Sequence, residues 1–245
     1  MAYFMTSVMR QRPMALVPPL ENGDYLDQPT FHERYESMEE DVRAELIGGI
    51  VYMSSPVGIA HGKTTQLVGV GLDGYELTTP GTEVLSDISN IMGPQSEPEP
   101  DHCMRLLPEA GGQTTVNRKG YLVGAPELIV ETASSTESRD LHQKKADYEK
   151  ARVREYVVVA LRSEQVYWFL LKDGRFEDLK PGRDGIFCSQ VFPGLWLDPG
   201  ALLKSDRKKL LAVLKRGLAS KEHRAFVGTL KAKKGKDAGW RGGHG

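Results

Sequence analysis

Two acidic residues stand at positions where a carboxylate needs a specific reason. Glu131 ends the apolar run Glu127-Leu-Ile-Val-Glu131, which predicts a buried strand, and Asp101 follows Pro100 at the predicted start of another strand. A buried carboxylate requires a partner, because its removal from water is costly. If the two strands pair in one sheet, the carboxylates converge, and one pKa rises unless a cation lies between them.

A hard divalent cation is suited to such a pair of carboxylates. Mg²⁺ favours sites with one or two carboxylates plus waters. A metal held there can activate water and stabilise a phosphoryl transition state. The structural alternative is that Asp101 caps a turn and that Glu131 pairs with an arginine at the end of its strand. The two acids alone do not decide between these interpretations.

A lysine beside the carboxylates would favour catalysis, because it can orient the attacking water and offset phosphate charge. Position 133 is alanine, so the strand does not supply this lysine, and the helix predicted over residues 138–152 is the next candidate. At about 100° per residue, Lys144 lies within roughly 25° of the centre of the apolar face, Lys145 about 75° away and Lys150 nearly opposite. Lys144 is therefore predicted to point toward the sheet. The alternative is a lysine that extends its ammonium to water from the rim of that face.

The elements that must position these residues form a mixed pattern. A strand, a helix and a strand over residues 127–161 predict a βαβ unit, and hairpins on either side predict further strands, so the fold class is α/β or α+β with a mixed sheet. Strands are predicted over residues 82–93, 101–108 and 154–161. Two hairpins are also predicted, one over residues 45–53 with its turn at Gly48-Gly49 and one with its turn at Asp173-Gly174. Helices are predicted over residues 31–44, 61–75, 138–152 and 199–218. Glycines lower the helix propensity of the segment 61–75.

The chain divides by composition into three parts. We expect a flexible leader over residues 1–29, one domain over 30–203 and a basic, helical or disordered tail over 204–245. The net charge of −1 conceals an asymmetry, since residues 204–245 hold 13 Lys and Arg against 3 Asp and Glu, whereas residues 1–203 hold 19 against 30. Such a tail can bind phosphate backbones, or it can be a solvated extension.

Cysteine content and hydropathy bear on where in the cell the protein is located. Two cysteines, Cys103 and Cys188, occur without CxxC spacing, which argues against a structural zinc site or a disulfide framework. No run of 18 apolar residues is present, so no membrane span is expected. These features predict a cytoplasmic protein.

Several segments, taken in order, resemble one known family. They are "AELIGGIVYMSSP", "AHG", "PEPD", "GAPELIVETAS" and "RDLHQKKADYEKARVREYVVVA". Together they resemble the Uma2 (DUF820) restriction endonucleases of the PD-(D/E)XK nuclease superfamily, over about residues 31–203. The resemblance implies a restriction-endonuclease-like mixed sheet flanked by helices, with a divalent metal at its centre.

The resemblance assigns roles to five residues. Asp101 matches the motif aspartate, Glu131 the motif glutamate, and Lys144 the motif lysine displaced from the strand to the helix. Glu45 matches an additional acidic residue of the metal shell. His61 matches the His-Gly of the family, with either a catalytic role or a structural role through a bond to a loop carbonyl. One departure is Arg152, which stands where glycine is common.

The first hypothesis is a metal-dependent endonuclease that hydrolyses phosphodiester bonds in DNA. It would use Mg²⁺ or Mn²⁺, held by Asp101, Glu131 and Glu45, with Lys144 polarising the attacking water. A homodimer would make cleavage of both strands natural. The second hypothesis is a catalytically inactive nuclease-fold module that binds nucleic acid or a protein partner. The third is that residues 127–161 form only a βαβ core.

Overall fold

The computed structural model describes the backbone of residues 17–240 and the side chains of residues 17–231. Most of the predicted flexible leader, residues 1–16, lies outside the described residues. Leu20, which falls in the rest of that leader, is buried against Phe31 and Leu46 in a small core beside the first hairpin.

The described chain forms strands and helices in a mixed order. The strands are β1 (Ala44–Ile47), β2 (Ile50–Met53), β3 (Thr82–Ser86), β4 (Asn90–Ile91), β5 (His102–Leu106), β6 (Thr115–Val116), β7 (Leu122–Val123), β8 (Leu128–Ala133), β9 (Glu155–Ala160), β10 (Gln165–Lys172), β11 (Arg175–Asp178), β12 (Phe187–Cys188) and β13 (Trp196–Leu197). The α-helices are α1 (Gln28–Glu36), α2 (Ile59–Glu76), α3 (Glu137–Arg139), α4 (Lys145–Ala151), α5 (Pro199–Leu203), α6 (Arg207–Leu218) and α7 (Lys221–Trp240). A 3₁₀ turn spans Pro108–Ala110, and a π-helical turn, Asp140–Lys144, joins α3 to α4.

A six-stranded mixed sheet is the centre of the fold, with the order β11-β10-β9-β8-β5-β3. β8 and β9 pair in parallel, and the segment from α3 to α4 crosses between them, whereas the other neighbouring strands pair antiparallel. The predicted mixed α+β class is therefore confirmed. The predicted βαβ unit is also present, because a parallel pair requires a crossover connection.

Side chains of β8 alternate between two cores, as the period of a strand requires. Leu128 and Val130 pack with residues of α2, α5 and α6 on one face. Ile129 and Ala133 pack with Tyr148 of α4 on the other. The sheet is thus covered on both faces, and the residues at the end of β8 lie between two helical layers.

Three predicted elements differ from the structure. The helix predicted over 31–44 is instead α1, which begins at Gln28 because the Asp27 side chain accepts a hydrogen bond from the Thr30 N–H, and Ala44 pairs with Met53 in the hairpin. The strand predicted over 82–93 is interrupted at Asp87, where φ is 50°. The helix predicted over 199–218 is broken at Ser205, where φ is 54°, before α6 begins.

The glycines of α2 allow close packing where the sequence indicated a weak helix. A Cβ on Gly69 would lie 2.9 Å from the His102 ring, and one on Gly74 would lie 3.1 Å from Leu214. The helix therefore forms despite a poor propensity, because tertiary contacts outweigh the roughly 1 kcal/mol cost of each glycine.

Arg152 ends α4 in the left-handed conformation, with φ of 71°. Glycine is favoured at this position of a helix end because it has no Cβ penalty. The departure from the family at Arg152 is therefore a local cost that the chain tolerates. The remainder of the crossover is unaffected, and Val153 follows it into the core.

The helices after Leu203 share the core of the sheet. Leu210 and Leu214 of α6, together with Leu230 of α7, are buried in the same cluster as the α2 face of the sheet. Helix α6 therefore has one face that belongs to the folded body and another face that lies in solvent.

Truncation of Leu214 tests this attachment of α6. Leu214→Ala removes a side chain that is 4% exposed, so we expect it to lower the free energy of unfolding by about 2–5 kcal/mol. Leu211→Ala, on the exposed side of the same helix, is the matched control and should change it by less than about 0.5 kcal/mol. Urea denaturation measures both variants, and an equal, small effect of the two would show that α6 is not part of the core.

Candidate active site

The five predicted site residues come from five separate parts of the fold and meet in one cleft. Glu45 lies in β1, His61 in the first turn of α2, Asp101 just before β5, Glu131 in β8, and Lys144 at the end of the π-helical turn. The cleft opens where the C-terminal end of β8 faces the loop 54–58. The structure thus brings all five together, and their catalytic and metal-binding roles remain predictions.

Asp101 is fixed by a backbone donor and a histidine. Its Oδ2 accepts a hydrogen bond of 2.6 Å from the Thr132 N–H, the residue after Glu131 in β8. His61 Nε2 lies 3.5 Å from Asp101 Oδ1. Burial opposes ionisation of this carboxyl, but His61 and the Thr132 N–H hold its pKa below its usual value. Asp101 therefore stays charged, and His61 faces this carboxylate.

Lys144 lies between two carboxylates in the buried wall of the cleft. Its Nζ is 2.9 Å from Glu131 Oε1 and 2.7 Å from Glu45 Oε2. The Tyr148 hydroxyl donates a second hydrogen bond, of 2.7 Å, to the same Glu131 oxygen. Burial alone would lower the pKa of Lys144, but the charges of Glu131 and Glu45 raise it above its ordinary value. The ammonium therefore remains protonated and acts as a donor and a fixed charge.

The helix delivers Lys144 through an irregular turn. Asp140, Lys144 and Tyr148 are spaced by four residues, and all three are buried on one side of the crossover. The π-helical turn Asp140–Lys144 widens the helix at this point, a feature often found at functional sites. Ala133 is fully buried against the α4 side of the sheet. The sequence-based orientation of Lys144 toward the sheet is confirmed by its contacts, although that argument assumed a regular α-helix.

Negative charge exceeds positive charge in the cleft. Burial, together with the charges of Asp101, Asp140 and Glu45, raises the pKa of Glu131 to about 8 despite the opposing effect of Lys144. Burial raises the pKa of Asp140 as well. Six acidic side chains thus line the cleft with three permanent cations. They are Glu45, Asp87, Glu99, Asp101, Glu131 and Asp140, with Arg43, Arg139 and Lys144.

The donor set fits a hard divalent cation bound with part of its water shell. Asp101 and Glu131 line the cleft, and the excess of negative charge would be relieved by two positive charges. Within residues 17–231, no three His, Cys, Asp or Glu side chains are gathered as a metal cage. Mg²⁺ favours one or two carboxylates completed by waters and substrate oxygens.

Four contributors to the site were not assigned from the sequence. Tyr148 was assigned only to an apolar face, and the Thr132 N–H carries no signal in a side-chain pattern. Arg139 stacks over the Tyr52 ring at 4.8 Å and lies 3.6 Å from Glu45. The recurrence of Asp140, Lys144 and Tyr148 at intervals of four could have indicated a shared helical face.

Comparison with known proteins identifies a family and a similar fold. The Uma2 family model, described as "Putative restriction endonuclease", matches residues 29–200. The chain belongs to the Uma2 family. Its fold is similar to a crystal structure of "a putative nuclease belonging to DUF820" from Anabaena variabilis, with a TM-score of 0.56 and 12% identity, over 71% of this chain and 96% of that chain. At this identity the similarity shows the fold. No curated protein sequence matches the chain.

Two further observations concern the setting of this Uma2 protein. Both cysteines are free, with Cys103 buried and Cys188 exposed. In the described part of the chain, no helix has the length and apolar character needed to cross a membrane. The cytoplasmic location stays a prediction.

The raised pKa of Glu131 gives a pH dependence of stability. Between its ordinary pKa of 4.5 and about 8, the folded protein binds a proton that the unfolded chain has lost. The free energy of unfolding should therefore fall as pH rises through this window, by up to about 1.4 kcal/mol per pH unit from this group. Glu131→Gln removes the titration, so its stability should fall less steeply.

Urea unfolding from pH 5 to 9, in the presence of a chelator, compares the two proteins. The difference between their slopes isolates Glu131 from other titrating groups. Parallel slopes for wild type and Glu131→Gln would contradict the raised pKa.

Proposed function

We propose that this Uma2 protein is a metal-dependent endonuclease that hydrolyses phosphodiester bonds in DNA. The observation that carries the proposal is the buried Lys144 ammonium, shared by Glu131 and Glu45 beside the ionised Asp101, in a cleft open to solvent. The family description and the nuclease fold of the structural neighbour support the same reaction class.

Asp101 and Glu131 are the proposed metal ligands, with Glu45 completing the shell. A bound Mg²⁺ or Mn²⁺ would supply charge that polarises a phosphoryl oxygen and makes a water more acidic. Glu131 must lose the proton that its raised pKa favours before it acts as a ligand, so cation affinity should increase with pH.

Lys144 is proposed to position the attacking water. Its pKa is raised, so it acts through its N–H donors and its charge and not as a base. The Tyr148 hydroxyl holds Glu131 in place, and the Thr132 N–H holds Asp101. These contacts pre-organise the charges at which a phosphate would bind, which reduces the reorganisation required during reaction.

Cleavage of supercoiled plasmid tests this proposal. With Mn²⁺ or Mg²⁺ the wild type should cut the plasmid, and a chelator should stop it. Asp101→Asn and Lys144→Met should lose about 10²-fold or more in rate, because the first removes a proposed metal ligand and the second removes the donor that positions the attacking water. Lys150→Ala, an exposed lysine of the same crossover helix, is the control and should cut at the wild-type rate.

The product distribution carries further information. Direct linearisation would indicate two sites acting on one duplex, as a homodimer provides, whereas accumulation of nicked circles would indicate single sites. Circular dichroism of each variant establishes that it is folded. Variants of Asp101 and Lys144 that cut as fast as the control would overturn the assignment of the site.

An inactive nuclease-fold module that binds nucleic acid or a protein partner is the second candidate. It is favoured by one observation, that the Lys144 ammonium already lies between Glu131 and Glu45, at 2.9 and 2.7 Å, where a metal ion would need their oxygens. Calorimetric titration with Mn²⁺ separates the candidates. The nuclease should bind the ion and lose binding in Asp101→Asn, whereas the inactive module should show neither cation binding nor cleavage.

A further inference from the structure

Helix α6 presents a cationic face to solvent. Residues 204–231 hold nine Lys and Arg against two Asp and Glu. Leu210, Val213 and Leu214 are buried against the body. At about 100° per residue, Lys208 and Lys215 lie on the opposite side of the helix, within about 20° of each other. The attachment of α6 to the core therefore fixes the direction in which these lysines point.

The cations of α6 fall into two groups by their partners. Lys209 forms an ion pair with Asp198 at 2.7 Å, and Arg216 lies 3.5 Å from Asp184 and over the Trp196 ring. Arg207, Lys208 and Lys215 are exposed and have no acidic partner among residues 17–231. We call the two lysines on the solvent side, together with Arg207 at the exposed first position of the helix, the outer face of α6. Their charges are not used to stabilise the fold and are available to a ligand.

The position of α6 relates this face to the cleft. His61 lies in the first turn of α2, and Gly71 and Gly74, further along the same helix, pack against Leu210 and Leu214 of α6. Ten residues of helix span about 15 Å. Duplex DNA advances about 3.4 Å per base pair along each strand. The contact between α2 and α6 thus begins about 15 Å along α2 from His61, the length of about four or five base pairs, and Lys208 and Lys215 lie on the far side of α6 from this contact.

The charge balance explains why a second surface is needed. The cleft holds more carboxylates than permanent cations, and residues 1–203 are strongly acidic. Phosphate backbones are bound chiefly by Lys and Arg through release of counterions. A substrate with many phosphates therefore gains little affinity from the cleft itself and needs cations beside it.

We propose that the outer face of α6 binds the phosphate backbone of DNA and holds the duplex beside the cleft. This inference rests on the proposed function for its substrate, but it concerns a surface outside the proposed catalytic residues. The contacts are to phosphates and carry no sequence preference.

Salt-dependent binding tests the proposal. Fluorescence anisotropy measures binding of a labelled duplex of mixed sequence to the full chain in the presence of a chelator, so that no cleavage occurs. The triple variant Arg207→Ala, Lys208→Ala and Lys215→Ala should weaken binding about tenfold or more at low salt. It should also reduce the slope of log affinity against log salt by about 2–3, since each phosphate contact contributes about 0.9.

A matched control removes the same charge from another place. Lys172, Arg175 and Lys180 are exposed on the β10–β11 hairpin and are paired with Glu177, Glu149 and Asp178. Their triple replacement by alanine changes the net charge equally and should change the slope by less than about 1. Equal effects of the two triple variants would overturn the proposal, as would wild-type protein that binds vesicles of anionic phospholipid and not DNA.

The outcome is independent of whether the cleft cuts. If wild type shows no cleavage but the outer-face variant loses DNA binding, the surface stands and the nuclease proposal fails. If wild type cuts DNA and the outer-face variant binds like the control, the nuclease proposal stands and this inference fails.

Discussion

The Lys144 ammonium lies between Glu131 and Glu45, at 2.9 and 2.7 Å, where all three groups are almost fully removed from water. Bringing such charges out of water costs several kcal/mol for each ion, and their mutual attraction offsets this only when the geometry is good. The arrangement therefore requires that β1, β8 and the π-helical turn are held rigidly together. The cores on the two faces of the sheet hold β8 and the crossover helix, and the small core around Phe31 holds β1.

The burial of Lys144 with Glu131 and Glu45 is better explained by chemistry than by its contribution to stability. A buried lysine with two carboxylates stabilises a fold less than an apolar cluster of equal volume would. Such a costly cluster is typical of sites whose residues perform chemistry. Burial, together with the neighbouring acidic residues, raises the pKa of Glu131, and the excess of acidic groups leaves the cleft suited to a cation. Asp101 differs because the Thr132 N–H and His61 stabilise its ionised form. The pKa of Glu131 is therefore raised and that of Asp101 lowered, although both line the same cleft.

Acidic and basic residues are concentrated in different parts of the protein. An acidic centre attracts a metal ion but repels a polyanion, and the cations of α6 lie on a surface outside the cleft. The C-terminal helices α6 and α7 are therefore partly buried in the core and are not only a solvated extension. Burial of Leu210 and Leu214 orients α6, so that Lys208 and Lys215, which have no acidic partner among residues 17–231, lie in solvent.

Glu45 and His61 followed only from the family resemblance. The patterns of the sequence itself determined the mixed fold class, the hairpin turns at Gly48-Gly49 and Asp173-Gly174, and Asp101, Glu131 and Lys144 as candidate site residues. These features depend on local patterns and on spacing along the chain, which a sequence displays directly. The orientation of Lys144 was also accessible, because its apolar neighbours on one helical face define a direction.

Only the tertiary structure decided which groups touch. The hydrogen bond from the Thr132 N–H to Asp101 belongs to the backbone and depends on how β5 and β8 pair. The second partner of Lys144, Glu45, lies 99 residues earlier in the chain, and its approach depends on the packing of the first hairpin. The predicted helix over 61–75 is confirmed as α2, where packing contacts outweigh the poor propensity of its glycines, whereas the break at Ser205 before α6 was not predicted. Contacts between residues distant in sequence follow from packing, and a one-dimensional pattern does not contain them.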